Sequence, residues 1–135
     1  MYFLDTNTCI YYLNGKFPTI ALRILSTSAS LIKIPSMVKA ELLLGAEKSV
    51  RKEKTTQAVY SFLEPFEIIS FDEIASEYYA SIRANLEIQG QTIGPNDLII
   101  ASTVLSPKGI LITNNMKEFS RVNGLKLENW ASETI

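Results

Sequence analysis

Three acids, Asp5, Glu41 and Asp97, are the residues of this chain whose types and positions could do chemistry. Asp5 follows the apolar run Tyr2-Phe3-Leu4 and precedes Thr6-Asn7. A carboxylate directly after a buried strand suits metal or phosphoryl chemistry, and it suits the capping of a helix equally well. Glu41 lies in Met37-Val38-Lys39-Ala40-Glu41-Leu42-Leu43-Leu44-Gly45. Its helical neighbours, Met37, Val38, Leu44 and Gly45, include no polar side chain. A charge held against apolar packing is costly without a partner such as a cation, so function outweighs an exposed Glu. Asp97 opens the run Asn96-Asp97-Leu98-Ile99-Ile100-Ala101 behind Gly94-Pro95. Taken alone it is explained by the helix dipole, which would also keep it ionised as a metal ligand must be.

Two more residues belong to the same discussion. Asn115, in Thr113-Asn114-Asn115, is read first as a turn cap. Its carbonyl also suits a hard cation or an oriented water. Glu118 reaches either the same cleft or a surface pair with Lys117 or Arg121, and the surface pair is slightly preferred. The run Glu47-Lys48-Ser49-Val50-Arg51-Lys52-Glu53-Lys54 reads as a solvated helix connection ahead of a phosphate-backbone contact. Tyr11-Tyr12 and Tyr78-Tyr79 read as packing rather than as base-stacking platforms. Cys9 reads as a small buried apolar residue.

Absences narrow the chemistry further. The chain has no histidine and one cysteine in 135 residues. That removes Ser-His-Asp and Cys-His nucleophiles, the usual zinc shells and any internal disulfide. A net charge of −1 argues against passive nucleic-acid binding. A nuclease is not excluded, because bound divalent cations bring their own positive charge to the phosphate. No apolar stretch is long enough for a membrane span, and no export signal is visible. We therefore expect a soluble, cytoplasmic protein that does not engage a membrane.

These residues need a scaffold that gathers them. The pattern predicts strands at residues 2–4, 31–34, 66–71, 110–112 and 125–127. Helices are predicted after Asp5 through Tyr12, over 19–25 with Ile20, Ile24 and Leu25 on one side, and from Met37 to about Lys48 behind a Ser36 cap. Others follow at about 53–63, at about 73–89 capped by Asp72 and ended by Gly90, and from Pro95 or Asn96 through Leu105. A short turn of helix is expected at 116–119. Strands alternating with helices imply an α/β fold, a mainly parallel sheet of about five strands with helices on both faces, as a single domain over 1–135. Ligands of such sheets bind beyond the carboxyl ends of the strands, where strand order reverses. Asp5 and Thr113-Asn114-Asn115 end two strands, and Glu41 and Asp97 lie in early helical turns near that edge.

Leu4-Asp5-Thr6-Asn7, Ala40-Glu41-Leu42 with Gly45, and Gly94-Pro95-Asn96-Asp97 form an ordered series. It continues with Thr113-Asn114-Asn115, Lys117-Glu118-Phe119, Gly124-Leu125 and Glu128-Asn129-Trp130. In order and spacing it resembles the PIN-domain ribonucleases, specifically the VapC toxins of bacterial VapBC toxin–antitoxin pairs. The resemblance implies a PIN-like fold and an endoribonuclease dependent on Mg²⁺ or Mn²⁺. Asp5, Glu41 and Asp97 match the family's acidic, metal-binding positions. Asn115 stands at a fourth position that is often Asp, and Glu118 matches an acid of closer relatives, so either fills the fourth role. The resemblance also implies RNA as substrate, in transfer or ribosomal RNA loops, a cognate antitoxin that covers the cleft, and a homodimer. The alternatives are a phosphatase of the HAD type, which needs a second Asp where this chain has Asn7, and a degenerate PIN module that only binds protein.

Overall fold

The computed structural model describes residues 1–132. Five strands, β1 (Tyr2–Leu4), β2 (Ile32–Pro35), β3 (Glu67–Ile69), β4 (Ile110–Ile112) and β5 (Lys126–Glu128), form one sheet in the order β3-β2-β1-β4-β5. Every neighbouring pair is parallel, with Phe3 opposite both Lys33 and Leu111. Consecutive residues Phe3 and Leu4 are both fully buried, as are Leu111 and Ile112, so the central strands are covered on both faces. The chain builds outward from β1 to β3, then returns to add β4 and β5 on the other side. Strand order therefore reverses between β1 and β4.

The helices are α1 (Thr6–Asn14), α2 (Pro18–Ser26), α3 (Ser36–Glu47), α4 (Lys52–Leu63), α5 (Glu73–Ile88), α6 (Pro95–Leu105) and α7 (Met116–Phe119). Among the described residues none is long and apolar enough to cross a membrane. α6 is apolar nearly all round and buries Leu98 and the whole run from Ile100 to Leu105. The hydroxyls of Ser102 and Thr103 satisfy themselves by donating to the carbonyls of Leu98 and Ile99. Gly15 ends α1 at φ 66°, the left-handed conformation that glycine adopts without strain. Gly109 is required for another reason: a Cβ there would lie 2.4 Å from the Phe3 ring.

Several boundaries differ from those the sequence pattern predicts. Ser36 does not cap α3; it is the first helical residue, Pro35 holds the cap position, and no side chain bonds there. Pro35 extends β2 by pairing with Ile69, while Leu31 belongs to a preceding 3-10 turn. β3 is shorter than the predicted strand. Leu25 is 74% exposed although Ile20 and Ile24 are buried, because α2 lies at the surface with only a narrow inward stripe. Asp72 caps α5 as expected, accepting from the Ala75 amide at 2.7 Å.

Candidate active site

Asp5 continues the β1–β4 ladder by one residue, its amide donating to the Ile112 carbonyl at 3.1 Å. Its side chain, 4% exposed, caps α1 by accepting from the Thr8 amide at 2.8 Å. The two roles weighed for Asp5 are thus not alternatives, since one side chain caps the helix and borders the cleft. Burial raises its carboxyl pKa, hydrogen bonds from Thr113 and Thr8 oppose this, and the charge of Glu41 adds to the rise.

Glu41, half-buried in α3, accepts from the Thr6 hydroxyl at 2.5 Å and from the Asn96 amide at 3.3 Å. Both donors adjoin an acid of the site, Thr6 following Asp5 and Asn96 preceding Asp97. Sequence reasoning assigned neither residue this task. The signal was there, as a hydrogen-bonding side chain next to each acid.

Asp97, in the first turn of α6, is half-buried, and its carboxyl is pushed up to about 7. Burial is the main cause, followed by the charge of Glu118, a hydrogen bond to Glu118, and the charges of Glu41 and Asp5. Glu118 moves the other way. The Asn115 amide donates to it at 2.8 Å, the Gly94 amide at 3.3 Å, and these with Asp97 and the charge of Arg121 hold its carboxyl below the ordinary value against some burial. Of this pair, Asp97 is the one that holds a proton as pH falls below about 7, and Glu118 the one that keeps its charge.

The structure corrects two expectations here. Glu118 makes no ion pair with Lys117 or Arg121 and instead turns to Asp97, Asn115 and Gly94. Asn115 does not cap α7 with its side chain. Its backbone amide donates to the Thr113 hydroxyl at 2.9 Å, which leaves the side-chain amide for Glu118.

Asp5, Thr6, Asn7, Glu41, Asp97, Asn115 and Phe119 line a small polar cavity of about 120 Å³. Glu118 joins the cluster through Asp97 and Asn115. All four ion pairs among the described residues lie elsewhere, so these acids meet no paired cation. The donor set is all oxygen, and its mutual repulsion is visible in Asp97. Such a set fits a hard divalent cation. As the side chains stand, no three acids among the described residues enclose a single point, because Glu41 and Glu118 are turned toward protein donors. The Tyr pairs are packing residues: Tyr12 lies tilted against Phe62, and Tyr11 and Tyr79 meet Phe17 and Phe71 edge-on. Cys9 is fully buried.

The PIN domain family model matches residues 2–125. Ribonuclease VapC2 of Rickettsia felis is 43% identical over 132 residues, spanning 96% of this chain and 98% of its own. The chain belongs to the VapC ribonucleases of the PIN-domain family. Another VapC, the tRNA(fMet)-specific endonuclease of Salmonella typhimurium, is 36% identical over 96% of this chain and 97% of its own. The crystal structure of VapBC2 from Rickettsia felis bound to a DNA fragment from their promoter contains a chain that superposes with a TM-score of 0.89. It is 40% identical and covers 96% of this chain and 98% of that one. Membership agrees with the parallel sheet and removes the phosphatase alternative, to which Asn7 was already unsuited.

Proposed function

We propose that this VapC-family chain is the toxin of a toxin–antitoxin pair and cleaves RNA with Asp5, Glu41, Asp97 and Glu118 around Mg²⁺ or Mn²⁺. The observation that carries the reading is the gathering of Asp5, Glu41 and Asp97 around one polar cavity with no ion pair on any of them. Asp5, Asp97 and Glu41 would hold the ion, which when bound stabilises negative charge on the phosphate and makes water a better nucleophile. Thr8 and Thr113 fix Asp5, and Thr6 with Asn96 fixes Glu41. Asn115 and the Gly94 amide keep Glu118 ionised and oriented, and Glu118 aligns the attacking water. The water oxygen bonds to phosphorus as the bond to O3′ breaks, and the proton that the water loses passes to solvent. With no histidine to serve as acid, the departing O3′ takes its proton from solvent.

The substrate class is RNA with unstacked loop nucleotides, whose backbone can approach the cleft where a duplex is constrained. A transfer RNA is favoured by the name of the Salmonella relative. The cognate antitoxin covers the cleft with a basic side chain among the acids, and the active form is a homodimer. Purified protein incubated with bulk tRNA and with ribosomal RNA, in Mg²⁺, Mn²⁺ or EDTA, tests the reading. Discrete fragments that vanish in EDTA and with Asp5→Asn are the expected result. Intact RNA under every metal condition would overturn it.

A further inference from the structure

Glu118 is held in part by a loop that has little else to hold it. Gly90, at φ 67°, ends α5 in the left-handed conformation, and the Gln91 amide closes that turn by donating to the Leu86 carbonyl at 2.9 Å. Regular structure resumes when the Leu98 amide donates to the Gly94 carbonyl at 3.0 Å. Between these points no backbone–backbone hydrogen bond holds Thr92 or Ile93 among the described residues, and of the loop only Ile93 is buried. Yet this stretch brings the Gly94 amide to Glu118 at 3.3 Å. It also passes close to Asp97, since a Cβ on Gly94 would lie 3.9 Å from Asp97 Oδ2. The missing restraint comes from Arg121, whose guanidinium Nη1 donates to the Thr92 carbonyl at 3.1 Å.

We infer that Arg121 is a positioning residue for RNA cleavage: it ties the Thr92 carbonyl to the end of α7 and so keeps the Gly94 amide against Glu118. The inference rests on the ribonuclease reading and on the role given there to Glu118. Glu118 and Arg121 stand three residues apart, and the Arg121 amide donates to the Glu118 carbonyl at 3.2 Å, so both side chains leave one turn of chain toward the same loop. Phe119 and Val122 are buried and anchor that turn, while Arg121 is half-buried. One bond, at Gly94, would leave the loop free to swing, whereas a second at Thr92 fixes its direction as well. The guanidinium suits the task, because it is always charged and its planar fork of N–H donors is pre-organised. Its charge acts on Glu118, yet Arg121 forms none of the ion pairs among the described residues. The neutral carbonyl takes the guanidinium, so Glu118 is steadied without being neutralised.

Two variants test this without touching the acids. Arg121→Met removes donor and charge but keeps much of the bulk, and Arg121→Lys restores both at a single point. In Mn²⁺ with tRNA, Arg121→Met should lower kcat roughly tenfold and leave KM within about twofold of wild type, as for a contact that matters only in the transition state. Arg121→Lys should recover part of the loss. In a Glu118→Gln background the Met substitution should lower kcat no more than about twofold further, because its effect passes through Glu118. Hydrogen exchange of the metal-free protein needs no turnover. There Arg121→Met should speed exchange at Thr92, Ile93 and Gly94 and leave β1 and α1 unchanged. A raised KM with kcat intact would overturn the inference by making Arg121 a direct RNA contact. Losses that multiply in the double variant would overturn it too, since Arg121 would then act independently of Glu118. Unchanged exchange across the loop would show that no tie exists. If the wild type cuts no RNA with any metal, the ribonuclease reading falls and the catalytic consequence with it, while the exchange data still decide whether Arg121 holds the loop.

Discussion

The acids on the outside of this protein and those at the carboxyl edge of the sheet meet different fates. Glu67, Glu47, Glu87 and Glu128 each pair with a Lys or Arg, at 2.8, 3.0, 3.0 and 3.3 Å. Asp5, Glu41, Asp97 and Glu118 are gathered at one edge, with hydroxyls and amides in place of cations. Exposed pairs contribute little to stability, and screening by salt reduces them further. The inner cluster instead stores repulsion that an incoming cation can relieve. The difference teaches where binding energy is held back for a ligand: at the edge where several acids are gathered and no ion pair neutralises them.

Breaking the inner cluster should have the largest effect. Asp97→Asn keeps the side-chain shape and removes the charge, so cleavage in Mn²⁺ should fall on the order of 10²–10³-fold or more, the scale of one preorganised electrostatic contact. The same variant should melt higher than wild type in metal-free buffer at about pH 8, because repulsion is gone. Near-normal single-turnover rates would remove Asp97 from the site.

Next in size is the pH dependence of the metal-free protein. Asp97 is raised from its ordinary 3.8 to about 7, so the folded chain binds its proton more tightly than the unfolded chain. The stability this gives is complete below 3.8 and is lost as pH rises through about 7. Asp5 shifts in the same direction, and the lowered Glu118 carboxyl adds stability that is lost only at more acid pH. Melting temperature should therefore decline from about pH 5 to about pH 8, and Asp97→Asn should flatten the decline. Mn²⁺ should restore stability most at the alkaline end, by mass action on the ionised cluster. A flat profile for the wild type would contradict the repulsion.

Asn115 sharpens the contrast from inside. Asn115→Ala removes the 2.8 Å donor to Glu118 and should lower the cleavage rate roughly tenfold. Asn115→Asp places a like charge against Glu118, so the metal-free protein should melt lower and gain more from added Mn²⁺ than wild type does. Superimposable Mn²⁺ titrations of cleavage and melting for all three proteins would reduce Asn115 to a turn residue.

The smallest effect is expected outside. Lys52→Gln breaks the exposed pair with Glu47 and should change stability by less than about 0.5 kcal/mol, with cleavage unaltered. A larger loss on urea unfolding would show that the outer pairs are not mere surface contacts.

The order of elements, the parallel sheet and the positions of the acids were legible in the sequence because each depends on local pattern. Short apolar runs, period-3.6 apolar patterns, and Asp72 before a helix with Gly90 after it all act within a few residues. Glu41 stood out because its helical neighbours are apolar, a fact of spacing alone. Only the tertiary structure decided which partner each acid takes. Lys117 and Arg121 lie close to Glu118 in the chain, yet Glu118 turns to Asp97 and to the Gly94 amide, 24 residues away. Thr6 and Glu41 are 35 residues apart, and Asn96 and Glu41 are 55 apart. These bonds exist because the reversal of strand order between β1 and β4 brings the starts of α1, α6 and α7 together beside α3. No local pattern carries that reversal, so hydrogen-bond choice and proton sharing emerge only when the sheet is assembled.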